Sequence, residues 1–215
     1  SMKTQFSNRT EAGELLAAKL VKYTGRANMI VLALPRGGVP VAAVVAERLH
    51  ASLDLLIVRK LGVPGHEELA MGAIAAGGVQ VLNHAVIESL QIPREAIDAA
   101  VKQESAELDR REQHYRQGRP QPAIAGRIVI LVDDGIATGS TVRAAVGVLR
   151  RQGAKRIIVA APVIAASTLR DMRNEADEII AVLAPEQFYG VGQFYDDFSQ
   201  TYVEAVRAVL AAAAV

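Results

Sequence analysis

The chain has 215 residues, a formal net charge of +1, no Cys, no Trp, and four Phe and five Tyr as its only aromatic residues. That length can bury a large core without staples, and the missing Cys excludes disulfide frameworks, a thiol nucleophile and Cys-based zinc or iron–sulfur centres. The balanced charge argues against a broad nucleic-acid footprint, so nucleic acid is not an expected partner.

Asn8–Tyr23 has the spacing of a helix and precedes a short β-branched run, Asn28–Leu34. Similar runs recur at Leu53–Val58, Arg127–Val132, Arg156–Ala161 and Glu178–Leu183. Each is nearly continuous in apolar residues, as expected for strands covered on both faces. Helical segments separate them at Val39–His50, Ser140–Gln152 and Ala165–Asn174, and Gln200–Ala213 closes the chain. The alternation predicts an α/β fold: a parallel five-stranded sheet flanked by helices in one domain, with its core over residues 26–184.

Two regions interrupt the pattern. Leu61–Gly78 carries five Gly and Pro64, and reads as a mobile lid loop leading into short strands near Met71–Ala75 and Val79–Asn83. Pro93–Gln117 reads as an inserted charged helix, opened by Pro93 and stopped by Gly118 and Pro120. Its pairs Asp98/Lys102, Glu107/Arg111 and Glu112/Arg116 stand at i,i+4 with the acid first, which suits a solvated, ion-paired helix.

The most informative segment is Ile128–Thr141, IVILVDDGIATGST. A buried strand ends in Asp133 and Asp134, a short turn follows, and Thr138–Thr141 opens a helix. Ligands of open α/β sheets bind beyond the carboxyl ends of the strands. Backbone N–H groups at a helix N-terminus, with Gly139 allowing close approach, favour a phosphate, and the neighbouring carboxylates can accept hydrogen bonds from a vicinal diol. A phosphate pocket beside a diol pocket suits ribose 5-phosphate. Neither GxxxxGK[ST] nor GxGxxG occurs.

Val132–Thr141 resembles the binding motif for phosphoribosyl pyrophosphate (PRPP) of the type I phosphoribosyltransferases. The whole chain is similar to a bacterial group of that family with no established substrate. The resemblance implies a Mg²⁺-dependent transfer of ribose 5-phosphate from PRPP to a nitrogenous base, releasing pyrophosphate. By it, Asp133 and Asp134 hold the ribose hydroxyls and meet the metal through water, and Gly135 and Ala137 to Thr141 (Thr138, Gly139, Ser140) cradle the 5-phosphate. Leu34–Pro40, LPRGGVP, is similar to the family's pyrophosphate loop, which makes Arg36, Gly37 and Gly38 pyrophosphate ligands and Arg36 a catalytic residue beside Asp133 and Asp134. Arg59 and Lys60 would add cations before the lid, whose His66 lacks partners at metal-ligand spacing.

Pro185–Ser199, PEQFYGVGQFYDDFS, holds five of the nine aromatic residues and resembles the hood of purine enzymes, residues 185–198 here. It implies base contacts from Phe188, Val191, Gly192 and Asp196. The competing reading is a small satellite core or a dimer contact. Two departures bear on the acceptor. Ala137 stands where hypoxanthine-guanine enzymes carry an acid, and Ile179–Gln187 has no Lys or Arg for a 6-oxo group. The expected partners are thus PRPP and a small heterocyclic base, with a homo-oligomer also compatible.

Two other functions fit the same pockets: a PRPP- or nucleotide-sensing regulator, using Pro93–Gln117 or Arg110–Arg127 toward a partner, and a nucleoside or nucleotide hydrolase. Ser1–Thr10 has no signal-peptide core and no stretch approaches ~18 apolar residues, so a cytoplasmic protein without a membrane segment is expected.

Overall fold

The computed structural model describes residues 4–213. Helix α1 (Arg9–Lys19) leads into strand β1 (Met29–Ala33), helix α2 (Gly38–Leu49) and strand β2 (Ser52–Leu55). Strands β3 (Val58–Val63), β4 (His66–Ala75) and β5 (Val79–Leu82) follow, then helices α3 (His84–Ser89) and α4 (Arg94–Arg116). The rest is β6 (Ile128–Val132), α5 (Ser140–Arg151), β7 (Arg156–Val163), α6 (Ala166–Asp171), β8 (Glu178–Leu183) and α7 (Val203–Ala213).

The main sheet has five parallel strands in the order β2-β1-β6-β7-β8. Its central strands are apolar throughout because successive side chains enter different cores. Val31, Ala33, Ile130, Val132, Ile158 and Ala160 pack with α2 on one face. Ile30, Leu32, Val129, Leu131, Ile157 and Val159 pack with α5 on the other. The expected α/β fold with a five-stranded parallel sheet is therefore present.

The loop expectation for Leu61–Gly78 is corrected, while the strands expected near Met71–Ala75 and Val79–Asn83 are present. Residues 61–78 are largely strand, because β3, β4 and β5 form a separate antiparallel sheet in the order β3-β4-β5. The glycines that suggested a loop have other uses. Gly65, Gly77 and Gly78 take φ of 80°, 80° and 75° in the connecting turns. Gly72 sits where a Cβ would run into the Val81 carbonyl, so its bare Cα lets β5 approach. The run Leu53–Val58 also divides: β2 ends at Leu55, and Val58 begins β3 in the second sheet.

The inserted helix is present as α4, but it is docked rather than simply solvated. Ile97, Leu108, Tyr115 and Arg116 are buried on it. Glu107–Arg111 and Glu112–Arg116 form the expected pairs at 3.0 and 2.8 Å, whereas Asp98 meets Arg94 at 4.0 Å rather than Lys102. No helix among the described residues is long and apolar enough to cross a membrane.

Candidate active site

Asp133 and Asp134 follow β6 at the carboxyl edge of the main sheet, and the next residues turn into α5. Gly139 caps α5 at φ 79°, a left-handed conformation that a side chain would strain. The Thr168 hydroxyl donates to the Ala137 carbonyl, and Arg143 Nη1 donates to the Thr138 carbonyl at 3.0 Å. The loop is thus braced from behind while Thr138, Ser140 and Thr141 stay exposed. Asp133, Gly135 and Ala137 to Thr141 line a cavity of 190 Å³, closed on one side by Val191. The arrangement joins a helix N-terminus, three hydroxyls and one carboxylate.

The two carboxylates have separate partners. Asp133 Oδ1 accepts from the Asp134 N–H at 2.8 Å. Burial, and next the charge of Asp134, push the Asp133 carboxyl well above the usual carboxylate range. Asp134 is 8% exposed, and its Oδ2 accepts from Arg9 Nε at 3.1 Å and Nη2 at 3.0 Å. Arg9 also stands over the Phe198 ring at 4.2 Å and donates to the Ser199 carbonyl at 2.5 Å. Tyr195 donates to the Asp134 carbonyl at 2.6 Å; burial, then the Asp134 charge, raise its hydroxyl pKa, so it stays protonated. Sequence reasoning missed Arg9, which looks like an ordinary first-turn residue behind the Asn8 cap and lies 125 positions from its partner.

The glycines of LPRGGVP fit this pair. A Cβ on Gly37 would fall on Asp134 Oδ2, and one on Gly38 would lie 2.8 Å from the Val132 carbonyl and 3.1 Å from Asp133 Cα. Gly37 has φ −60° and ψ −29°, which any residue accepts, so its requirement is purely for space. Gly37→Ala is expected to displace the Asp134 carboxylate from Arg9 and to cost about 1–3 kcal/mol as overpacking, read as a lower melting temperature. A melting temperature equal to that of the unaltered protein would show that the pair yields freely.

Lys60 lies on β3, and its Nζ donates to Ser140 Oγ at 2.9 Å, which places it at the first residue of α5. Arg59 instead pairs with Glu104 of α4 at 2.8 Å. Both line a larger cavity of 710 Å³ that also includes Pro35, Arg111 and Thr141. Arg36 is exposed and faces α4 across a different cavity.

The hood rings are mostly engaged with one another. Phe194 and Tyr195 are buried in a satellite core with Phe6; Phe188 packs on Phe194 at 5.3 Å and Phe198 on Tyr195 at 5.2 Å. Gly192 gives room to the Phe198 ring, and the Asp196 side chain is exposed. Of the four expected base contacts, Val191 alone reaches the loop cavity.

No cluster of three or more His, Asp or Glu among the described residues could hold a metal by itself. A single cavity-lining carboxylate, Asp133, beside a phosphate cradle does fit Mg²⁺, which keeps several waters and prefers phosphate oxygens.

The chain is thus an α/β protein whose open parallel sheet carries a carboxylate and a helix N-terminus side by side at its carboxyl edge, where ligands of such sheets bind. The chain belongs to the phosphoribosyl transferase domain family, whose model matches residues 65–199. It is 44% identical over 205 residues to Rv0571c of Mycobacterium tuberculosis, a protein named as a phosphoribosyl transferase. That match covers 95% of this chain, and the chain spans about half, 46%, of that relative's length. The crystal structure of TT1426 from Thermus thermophilus superposes with a TM-score of 0.89 at 39% identity, over 96% of this chain and 97% of that one. A more distant relative is the Bifunctional protein PyrR of Actinobacillus pleuropneumoniae, 29% identical over 157 residues, 70% of this chain and 81% of that protein.

Proposed function

We propose that the chain transfers ribose 5-phosphate from PRPP to a nitrogenous base in the presence of Mg²⁺, releasing pyrophosphate. The observation that carries this reading is the 190 Å³ cavity in which Asp133 meets the start of α5. The 5-phosphate takes the N–H groups of residues 137–141 and the hydroxyls of Thr138, Ser140 and Thr141, where the helix dipole favours negative charge. Asp133 accepts a hydrogen bond from a ribose hydroxyl and fixes the sugar in place. Asp134, through its bond to Arg9, holds the edge of that site rather than the sugar itself.

The bond from the ribose anomeric carbon to the pyrophosphate oxygen breaks, and its electron pair leaves on pyrophosphate. A lone pair of the base nitrogen forms the new bond, and that nitrogen's proton passes to solvent. Lys60 and Arg36 stabilise the charge that builds on the leaving group. Mg²⁺, reached by Asp133 through water, would neutralise part of that charge when bound. The residues at Ala137 and Ile179–Gln187 disfavour a 6-oxopurine acceptor.

A second reading is a PRPP-binding regulator without transfer. It is favoured by one observation: the hood rings pack on one another and on Phe6. The experiment combines protein, PRPP and Mg²⁺ with a panel of purines, pyrimidines and related heterocycles, and measures pyrophosphate release. Release with one acceptor is the expected result. Tight PRPP binding without release from any acceptor selects the regulator, free base released from nucleosides without PRPP selects a hydrolase, and no PRPP binding sinks the transferase and PRPP-regulator readings.

A further inference from the structure

The C-terminal half of α4 faces the Pro35–Arg36 peptide across a cavity of 370 Å³. Its charged lining is uneven: Arg36, Arg110 and Arg111 stand against Glu107 alone. Both Glu107 oxygens are taken, Oε2 by Arg110 Nη2 at 2.7 Å and Oε1 by Arg111 Nε at 3.0 Å. The Arg36 side chain has no ion pair or hydrogen bond among the described residues. Three guanidinium groups against one carboxylate leave two positive charges around an open hollow.

His114 adds a donor. Arg207 of α7 donates through Nε to the His114 carbonyl at 2.9 Å and places Nη2 3.3 Å from His114 Nδ1. A guanidinium can only donate, so Nδ1 accepts and the neutral ring carries its proton on Nε2. A helix surface stabilised only by its own i,i+3 and i,i+4 pairs would account for Glu107, Arg110 and Arg111. It accounts for neither the unpaired Arg36 side chain opposite nor the cavity between them. Pro35 and Arg111 also line the 710 Å³ cavity that reaches Lys60 and Thr141, so this hollow adjoins the candidate active site.

We propose that α4 is a phosphate-recognition wall: Arg110, Arg111 and His114, opposite Arg36, bind a phosphoryl or pyrophosphoryl group. Guanidinium groups grip phosphate oxygens in pairs, and a net charge of two matches a phosphate dianion. The group has two sources with one chemistry, the pyrophosphoryl end of a PRPP-like donor or a separate phosphorylated effector. The site stands on its own geometry; only its assignment to the donor rests on the PRPP reading.

The test titrates inorganic pyrophosphate, ribose 5-phosphate and PRPP separately into the protein and into Arg110→Gln/Arg111→Gln, by calorimetry in metal-free buffer. The side chains are 71% and 47% exposed, so the variant keeps the fold, and retained ribose 5-phosphate binding confirms it. Pyrophosphate affinity is expected to fall at least tenfold, with a weaker salt dependence. A parallel fall for PRPP assigns the site to the donor; PRPP affinity unchanged assigns it to a separate phosphate ligand. Pyrophosphate affinity equal in the two proteins, or none in either, overturns the proposal. Failure of ribose 5-phosphate to bind the unaltered protein would instead sink the PRPP reading and leave the pyrophosphate arm readable.

Discussion

Asp133→Asn is expected to remain folded and to lose PRPP-dependent pyrophosphate release by on the order of 100-fold in kcat/KM. The amide keeps the shape of the carboxylate, and its oxygen can still accept the Asp134 N–H. It removes the charge that a ribose hydroxyl and a hydrated cation would use. It also removes a carboxyl that burial and Asp134 already disfavour as an anion, so melting should hold or rise slightly. Asp134→Asn should behave differently. It takes the counter-charge from Arg9, whose side chain is 12% exposed, and stability falls while the cavity keeps its lining carboxylate. The two variants are thus expected to separate adjacent residues of one motif into a ligand-facing group and a structural one. Calorimetric PRPP affinity unchanged in folded Asp133→Asn would contradict this assignment.

Arg116→Met is expected to destabilise the protein by about 3–5 kcal/mol, the usual cost of removing one partner from a buried ion pair. Arg116 is 3% exposed, and its guanidinium meets Asp54 at 2.8 Å, Glu112 at 2.8 Å and the Leu55 carbonyl at 2.9 Å. It fastens the C-terminal turn of α4 to the end of β2. Methionine fills the volume but leaves two carboxylates facing each other without a cation. For a chain of this size the loss corresponds to roughly 6–20 °C in melting temperature. Arg116→Lys should recover little, because a single ammonium cannot span acceptors on two elements in the planar fork that Arg supplies. A melting temperature within a degree or two of the unaltered protein would mean that α4 is held by Ile97, Leu108 and Tyr115 alone.

The motif at Ile128–Thr141 was legible because each of its parts acts locally. Strand, turn and helix start are neighbours in sequence, and the backbone geometry that makes a phosphate cradle is set within a few residues. The glycine-rich stretch 61–78 was misread for a related reason. Glycine serves a flexible loop, a tight turn and a close strand approach equally well, and only the partner strand, through the Val81 carbonyl opposite Gly72, decides among them. The hood shows the same limit. Ring content marked Phe188–Phe198 as unusual, but whether rings stack on a ligand or on each other depends on Phe6, which lies far away in the chain.

By itself the sequence determined the parallel sheet, the carboxyl-edge placement of Asp133 and the turn into α5 at residues 137–141, because hydrophobic period and turn chemistry are properties of contiguous residues. Tertiary structure alone decided that Arg9 takes Asp134, that Gly37 clears the Asp134 carboxylate and that Gly38 clears the backbone at Val132 and Asp133. It also decided that Lys60 reaches Ser140 and that Arg36 looks across a cavity at Arg110 and Arg111. Those contacts join positions brought together by chain crossovers. Charge pairing and steric clearance act over a few ångströms in space, whatever the separation along the chain.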